Sequence, residues 1–353
     1  MSKPTITVIV PVYKAMATLD RCVESVVSQD VAGGLACILV DDGSPDDSGK
    51  LCDAWAVRDP RVTVIHQDDL GVSGARNSGL AAADSEYIVF LDSDDALRPG
   101  ALQAALDAQN AAPNSFVCWH YTTDENDTAP VTAAAETRPQ SGLARLWLDC
   151  LLAMPWNKLY RTAYAQQVQF DRQYTLGEDL QFVLDYVELL GKITPDFAYT
   201  ALTAPLTFYD CSRGGTLSTR YHANYCDIWP KHFAKLNAAC HAAACPAEDM
   251  RPLHRAELQA FAEGVADIMR RDPSPTQRLK GYKAEAALRS PWLRALLERM
   301  KIEHCYSAYY LPCRWNSLRL LWMLSEAART QSPLFGKLDW AGYYLLLGRM
   351  KRG

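Results

Sequence analysis

The sequence lacks the signatures that would settle a nucleotide-binding protein at once. No GxGxxG follows its first apolar run, where Pro11-Val12-Tyr13-Lys14-Ala15 stands, and no GxxxxGK[ST] occurs. Dinucleotide and P-loop phosphate cradles are therefore excluded. The 11 cysteines are scattered, with no CxxC or CxxxC pair; Cys240 and Cys245 lie in an alanine-rich stretch without a matching ligand pair. An odd count in a long chain points to reduced thiols and a cytoplasmic location, most of the cysteines acting as small core hydrophobes. No run approaches the ~18 apolar residues of a membrane span. No low-complexity tract interrupts the chain, and no targeting segment is expected ahead of TITVIVPVY. A net charge of -5 disfavours general nucleic-acid binding.

What is present reads as alternating strand and helix. Ile6 to Val10 is an apolar β run stopped by Pro11, and Leu19, Cys22, Val23, Val26 and Val27 recur at helical spacing between Thr18 and Gln29. A second strand, Ala36 to Val40, closes on Asp41-Asp42-Gly43-Ser44. Ser44 with Asp47 three places on resembles a helix cap, for a helix reaching about Arg58. A third strand (Val62 to His66), a polar loop (Gln67 to Gly74), a helix (Ala75 to Ala83) and a fourth strand (Tyr87 to Leu91) follow, with Pro99 fitting a helix start. This alternation predicts a mostly parallel α/β sheet flanked by helices. Further strands are expected at Phe116 to His120 and Pro205 to Tyr209, and helices at Leu143 to Leu152 and Leu180 to Leu190. Beyond about Arg220 only helical patterns recur, so the expected division is a catalytic domain over 1–220 and a helical region over 221–353.

Chemistry concentrates where strands end. Tyr87 to Leu91 runs without a break into Asp92, Ser93, Asp94 and Asp95. Burying so many carboxylates costs heavily unless something cationic satisfies them. The carboxyl end of a parallel strand is where ligands bind in an open sheet. Two carboxylates spaced i, i+2 there suit a hard divalent cation bridged to phosphate oxygens. Asp41 and Asp42 put a second acidic pair at another strand end, an arrangement that suits a nucleotide diphosphate held through a metal.

Six segments carry a family resemblance: VIVPVYKA (Val8 to Ala15), VDDGSPDDS (Val40 to Ser48), GVSGARNSGL (Gly71 to Leu80), FLDSDD (Phe90 to Asp95), WNKLY (Trp156 to Tyr160) and GEDLQF (Gly177 to Phe182). In this order over about 200 residues the chain resembles family 2 glycosyltransferases of the GT-A fold, the kind that builds bacterial capsule, exopolysaccharide or lipopolysaccharide. The resemblance says little beyond about residue 220. It implies transfer of a sugar, with inversion, from a nucleotide-diphosphate donor, UDP by family tendency, to a saccharide or polyprenyl-linked acceptor, with Mn2+ or Mg2+. Pro11 and Tyr13 would line the base pocket, and Asp41 would hydrogen-bond uracil or ribose while Asp42 shapes the turn. Arg76 would face the base or pyrophosphate, with Asn77 supporting its loop. Asp94 would contact the metal, and Asp92, with Ser93 beside it, the ribose and the metal's waters. Asp179 would be the catalytic base, with Glu178 its neighbour. At a helix start its ionised form would be favoured and its basicity lowered.

Other residues read from their chemistry. Trp119 and Trp156 are candidates for an acceptor wall or for core, and Lys158 for an ion pair or the surface. The stretch YDCSRGGTLSTRYH (Tyr209 to His222) has a mobile loop's composition. Its Arg213 and Arg220 suit closure over a pyrophosphate, and His222 is a candidate metal ligand. From Gly281 to Gly353, Lys and Arg outnumber Asp and Glu by 12 to 5, a local +7 that leaves -12 for the first 280 residues. With the amphipathic RWNSLRLLWMLSEAA (Arg314 to Ala328), this suits peripheral contact with the cytoplasmic face of a membrane, packing onto the catalytic domain, or a homodimer contact. Two competing functions are an inactive nucleotide-sugar-binding partner in a synthase complex and a sugar-nucleotide pyrophosphorylase. The second wants a glycine-rich basic loop after the first strand, which PVYKA does not supply.

Overall fold

The computed structural model describes residues 3–127, 131–132, 134–174, 176–212 and 221–330. The chain divides into two compact units, Met1–Gly214 and Gly215–Gly353.

In the first unit the elements are β1 (Ile6–Val12), α1 (Leu19–Val27), β2 (Leu35–Asp42), α2 (Ser48–Arg58), β3 (Val62–Gln67), α3 (Gly71–Ala82), β4 (Tyr87–Phe90), β5 (Ala96–Leu97), α4 (Ala101–Ala111), β6 (Ser115–Thr122), β7 (Ala135–Pro139), α5 (Leu143–Leu148), β8 (Lys158–Arg161), α6 (Thr162–Ala165), α7 (Glu178–Ile193) and β9 (Ala198–Phe208). The sheet runs β3-β2-β1-β4-β8-β6-β9-β5, with β7 also on β9. β3, β2, β1 and β4 are mutually parallel. β8 is antiparallel to both β4 and β6, so it joins the parallel half to a mixed half. This is the mostly parallel, helix-flanked sheet that the alternation predicts.

Pro11 does not end β1 as expected; it lies within the strand, paired with Val40. The reason is local. Ile9 gives its carbonyl to the Leu91 amide on the β4 side, and Pro11, two residues on, faces the same way. There β4 has already ended opposite Ile9, so no partner demands the missing N–H. The cap before α2 is likewise Asp47 rather than Ser44; the Ser44 amide instead donates a hydrogen bond to the Asp41 carboxylate at the end of β2. α3 begins at Gly71, four residues ahead of the predicted start, so much of the expected loop is helix. Pro99 precedes the helix, and Gly100, at φ 76, caps α4.

α1 buries Leu19, Cys22, Val23 and Val26 against β1 and β2 residues such as Val8, Val10 and Leu39. Each large aliphatic side chain so buried contributes about 1.5–3 kcal/mol. On the opposite face Phe90 sits edge-on to Tyr160, Phe170 and Phe182, with centroids 5.6, 5.3 and 5.7 Å away. Phe170 and Phe182 stack at 3.9 Å. That aromatic block lies beneath the site.

The second unit is helical throughout its described residues: α8 (Tyr225–Ala242), α9 (Ala247–Arg271), α10 (Gln277–Leu288), α11 (Pro291–Ile302), α12 (Tyr310–Arg314) and α13 (Leu318–Arg329). Its core gathers Leu258, Phe261, Val265, Leu293, Met300 and Leu321. Trp315, Leu320 and Met323 stay exposed. No helix among the described residues is long and apolar enough to cross a membrane.

Candidate active site

The acidic residues after β4 form a turn closed by the Asp95 amide on the Asp92 carbonyl at 3.0 Å. α1 holds this turn through one stripe of polar side chains. Arg21 donates to the Asp94 carbonyl at 2.6 Å, Cys22 to the Asp92 carbonyl at 3.5 Å, and Gln29 to the Arg98 carbonyl at 2.9 Å. Ser25 accepts from the Leu97 amide at 3.0 Å. Cys22 and Ser25 share one face of α1, and Gln29 follows just beyond the helix end, so together they reach backbone from 92 to 98. Arg21 also pairs with Asp210 at 2.7 Å. The serine hydrogen bond from Ser212, helped by Arg21, holds Asp210 down to about 2.

Within the turn the carboxylates differ. Asp92 and Asp94 are partly exposed. Asp95 is sealed from water; its Oδ1 accepts from the Asp210 amide at 2.9 Å, and its Oδ2 has no partner among the described residues. Burial, then the charge of Asp92, pushes Asp95 far above the usual carboxylate range, so it stands as a neutral carboxyl. Asp92 and Asp94 are hard oxygen donors in a partly exposed turn, and their chemistry fits a divalent cation.

Arg76, projecting from α3, is the centre of the site. Its side chain is 4% exposed and bridges two carboxylates, giving one terminal nitrogen to Asp179 at 2.6 Å and the other to Asp92 at 2.8 Å. Its guanidinium lies over the Phe170 ring at 5.3 Å, while Nε has no partner among the described residues. Asn77, the next residue, donates to the Phe170 carbonyl at 2.8 Å and accepts from the Phe170 amide at 2.9 Å. The expectation that Asn77 supports the Arg76 region therefore has a concrete form: it ties α3 to the segment before α7.

Glu178 and Asp179 occupy the first turn of α7, behind Gly177 at φ 76. The expected loss of basicity at a helix start does not describe Asp179. Asp179 is half-buried; this loss of solvation raises it above the usual 3.8, Arg76 opposes the rise, and Glu178 and Asp92 add to it. Lys158 is not on the surface and makes no ion pair among the described residues. It is fully buried in β8, donating to the Met154 carbonyl and, at 2.6 Å, to Asn157 Oδ1. Burial lowers it to about 7.

At the neighbouring strand end, Asp41 accepts from the Ser44 amide at 3.1 Å and pairs with His66 Nδ1 at 3.0 Å. His66 in turn meets Asp53 at 2.9 Å. Asp42 accepts from Gln67 at 2.6 Å and from the Leu70 amide at 2.9 Å, which ties the end of β2 to the segment after β3. Pro11 is buried in β1, and Tyr13 is exposed with the Lys14 ammonium 5.0 Å from its ring. Lys14 adopts φ 54, a left-handed conformation costing roughly 1–2 kcal/mol. The Lys14 and Ala15 amides donate to Ser44 Oγ at 3.3 Å and Ser48 Oγ at 2.8 Å, holding it there.

Two tryptophans are core, not wall. Trp119 is fully buried and donates to Thr207 Oγ1 at 2.9 Å; Trp156 is buried and stacked on Tyr209 at 5.4 Å. Ser93 sits in the acidic turn, half-buried. Arg213 and Arg220 lie outside the described residues, and His222 lies in the second unit. Arg21 and Asp210 were not singled out from sequence, and Asp95 was named there only as part of the acidic run. The apolar face of α1 was visible there, but the polar side chains it turns to the acidic turn were not.

Residues 7–169 match the sequence profile described as glycosyl transferase family 2. The first unit belongs to that family. The chain is 31% identical over 191 residues to the uncharacterized glycosyltransferase EpsJ of Bacillus subtilis, covering 51% of this chain and 55% of that protein. It is 37% identical over 192 residues to the succinoglycan biosynthesis protein ExoO of Rhizobium meliloti, covering 50% and 53%. The chain thus spans about half the length of these curated relatives. Among solved structures, S. aureus TarS 1-349 in complex with UDP-GlcNAc aligns over 93% of this chain and 92% of that one, with a TM-score of 0.62 at 17% identity. The shared fold is GT-A, with a helical extension after it.

Proposed function

We propose that the chain transfers a sugar from a nucleotide-diphosphate donor, of the UDP class, to a saccharide or lipid-linked saccharide, by single displacement with inversion. One observation carries this reading: a buried guanidinium, Arg76, joins the acidic turn that would face the diphosphate to the carboxylate that would serve as base. Asp92 and Asp94 would hold Mg2+ or Mn2+. When bound, such a cation supplies charge neutralisation to the departing diphosphate. Asp179, raised above the ordinary carboxylate range, is a better base than a solvated aspartate, and its role is to take the proton from the acceptor hydroxyl. Arg76 holds that carboxylate in place, and Asp95, kept neutral, limits the negative charge crowded into the turn. UDP-GlcNAc bound to a protein of the same fold supports the donor class. Relatives named for succinoglycan and teichoic acid synthesis support a cell-envelope glycan as product.

The test is UDP release from a panel of UDP-sugars with Mn2+, together with donor affinity by calorimetry. Asp94→Asn is expected to weaken metal-dependent donor binding by roughly tenfold or more, about 1.4 kcal/mol. Binding of UDP by the parent, with no release or transfer on any acceptor, would instead mark an inactive nucleotide-sugar-binding protein. Equal metal-dependent binding in both proteins would remove Asp94 from the metal.

The acceptor class bears on the second unit. Exposed Leu320 and Met323 share one face of α13 beside exposed Arg319, with Trp315 just ahead of the helix. This face, with the basic excess of the region, fits an anionic lipid surface. Co-sedimentation with phosphatidylglycerol vesicles is expected to fall with added salt and in the Leu320→Glu, Met323→Glu double variant. Sedimentation indifferent to both would end the lipid-surface reading.

A further inference from the structure

The second unit holds an open-mouthed cavity of about 290 Å³ between α8, α9 and α11. Asn237 and His241 of α8, Glu257 of α9, and Trp292, Leu296 and Arg299 of α11 line it. Its size is just under the usual range of ligand pockets and suits one ring-sized molecule. Glu257, 1% exposed, and Asn237 are buried side chains in this lining. Burying them costs free energy that an apolar pair would not, so what they do there needs an account.

They are the front of a continuous polar chain. Asn237 donates to Glu257 Oε1 at 2.6 Å and to the Phe233 carbonyl at 2.8 Å. His254, fully buried, meets Asn237 Oδ1 at 3.1 Å through one ring nitrogen and Glu303 at 2.7 Å through the other. Arg299 approaches His254 Nε2 at 3.3 Å, and Cys305 donates to Glu303 at 3.6 Å. His254, Glu303 and Cys305 have donor atoms within 4.8 Å of one another, but those atoms are spent on each other and on Asn237, and they stand behind the cavity as its scaffold. Burial pushes Glu257 up to about 8, so at neutral pH its carboxyl keeps a proton to donate. Trp292 closes one side, supported by Phe261 at 5.1 Å and nearly parallel to Phe233 at 6.1 Å.

The cavity surface is therefore mostly apolar, with the flat Trp292 ring and Leu296, and Glu257, His241 and Arg299 supply its polar groups. Arg299 is in the lining, and Glu303, on the other ring nitrogen of His254, offsets its charge from behind the cavity. A pyranose, with an apolar C–H face and a rim of neutral hydroxyls, has the matching chemistry. We propose that this cavity is a saccharide-binding subsite that takes one neutral sugar unit of a glycan, separate from donor binding by the first unit. The choice of a glycan rests in part on the function proposed above.

Saturation-transfer NMR on the full chain tests this, using D-glucose, D-galactose and N-acetyl-D-glucosamine at millimolar concentration without nucleotide or metal. At least one sugar is expected to show transfer to its ring protons. Glu257→Gln is expected to weaken it severalfold. Ala295→Trp, which puts a large ring at an exposed lining position without disturbing the core, is expected to abolish it. Asp94→Asn, in the first unit, should leave it unchanged. Transfer that survives Ala295→Trp, or no transfer from any of the three sugars to a protein with native circular dichroism, overturns the proposal. UDP release assayed on the same samples keeps the two ideas apart. Release without sugar transfer signals removes the subsite alone; sugar signals without release remove the proposed activity alone.

Discussion

Asp179→Asn is expected to lower transfer about 10²–10⁴-fold, the range a positioned general base supplies, while donor affinity stays within a few fold of the parent. The amide keeps the size and can still accept from Arg76, but it cannot take a proton. The pH profile makes the assignment specific. Asp179 works as base only when ionised, and burial raises its folded-state pKa above the usual 3.8. The parent's kcat/KM should therefore be full at high pH and fall as pH drops through that raised value, above the range of a solvated aspartate. Glu178 contributes to the rise, so Glu178→Gln should move the acid limb to lower pH and leave the plateau nearly intact. Asp179→Asn should lose the limb along with the rate. Normal turnover in Asp179→Asn would remove Asp179 as base.

How much of this was legible in the sequence depends on which physical signal carried it. The alternating strands and helices of the first unit were readable because their apolar positions repeat at two and at 3.6 residues. The positions of Asp92, Asp94 and Asp179 at a strand end and a helix start followed from that pattern. Pro11 misled, since whether a proline ends a strand depends on how far the neighbouring strand extends. Lys158 misled too, because its burial comes from β8 lying between β4 and β6, a pairing that no local pattern records. α10 offers almost no apolar face to detect, since of its residues only Ala284 and Leu288 are buried. The ion pairs of Arg76 are separated by 103 and 16 residues, and that of Arg21 with Asp210 by 189. Long-range partners of this kind exist only once the fold is built, although the arginine in GARNSG was visible as a candidate.

Arg76→Met is expected to cost both stability and rate, and the two losses have different signatures. Removing one member of a buried ion pair leaves its partners uncompensated, at a cost of about 3–5 kcal/mol. Asp92 and Asp179 are 28% and 32% exposed, so water reaches both and the loss should fall at the lower end of that range. Urea unfolding followed by fluorescence measures it. The rate signature comes from charge. Arg76 opposes the burial of Asp179, and without it the Asp179 pKa rises further. The acid limb of kcat/KM should then move to higher pH, and part of the lost activity should return as the buffer is made more alkaline. Arg76→Lys keeps the charge but offers a single ammonium where a planar fork spans two carboxylates. It should restore the pH limb more fully than the maximal rate. A stable Arg76→Met protein with the parent's acid limb would mean that the guanidinium neither balances nor positions the base, and the link between the acidic turn and α7 would lose its part in the chemistry.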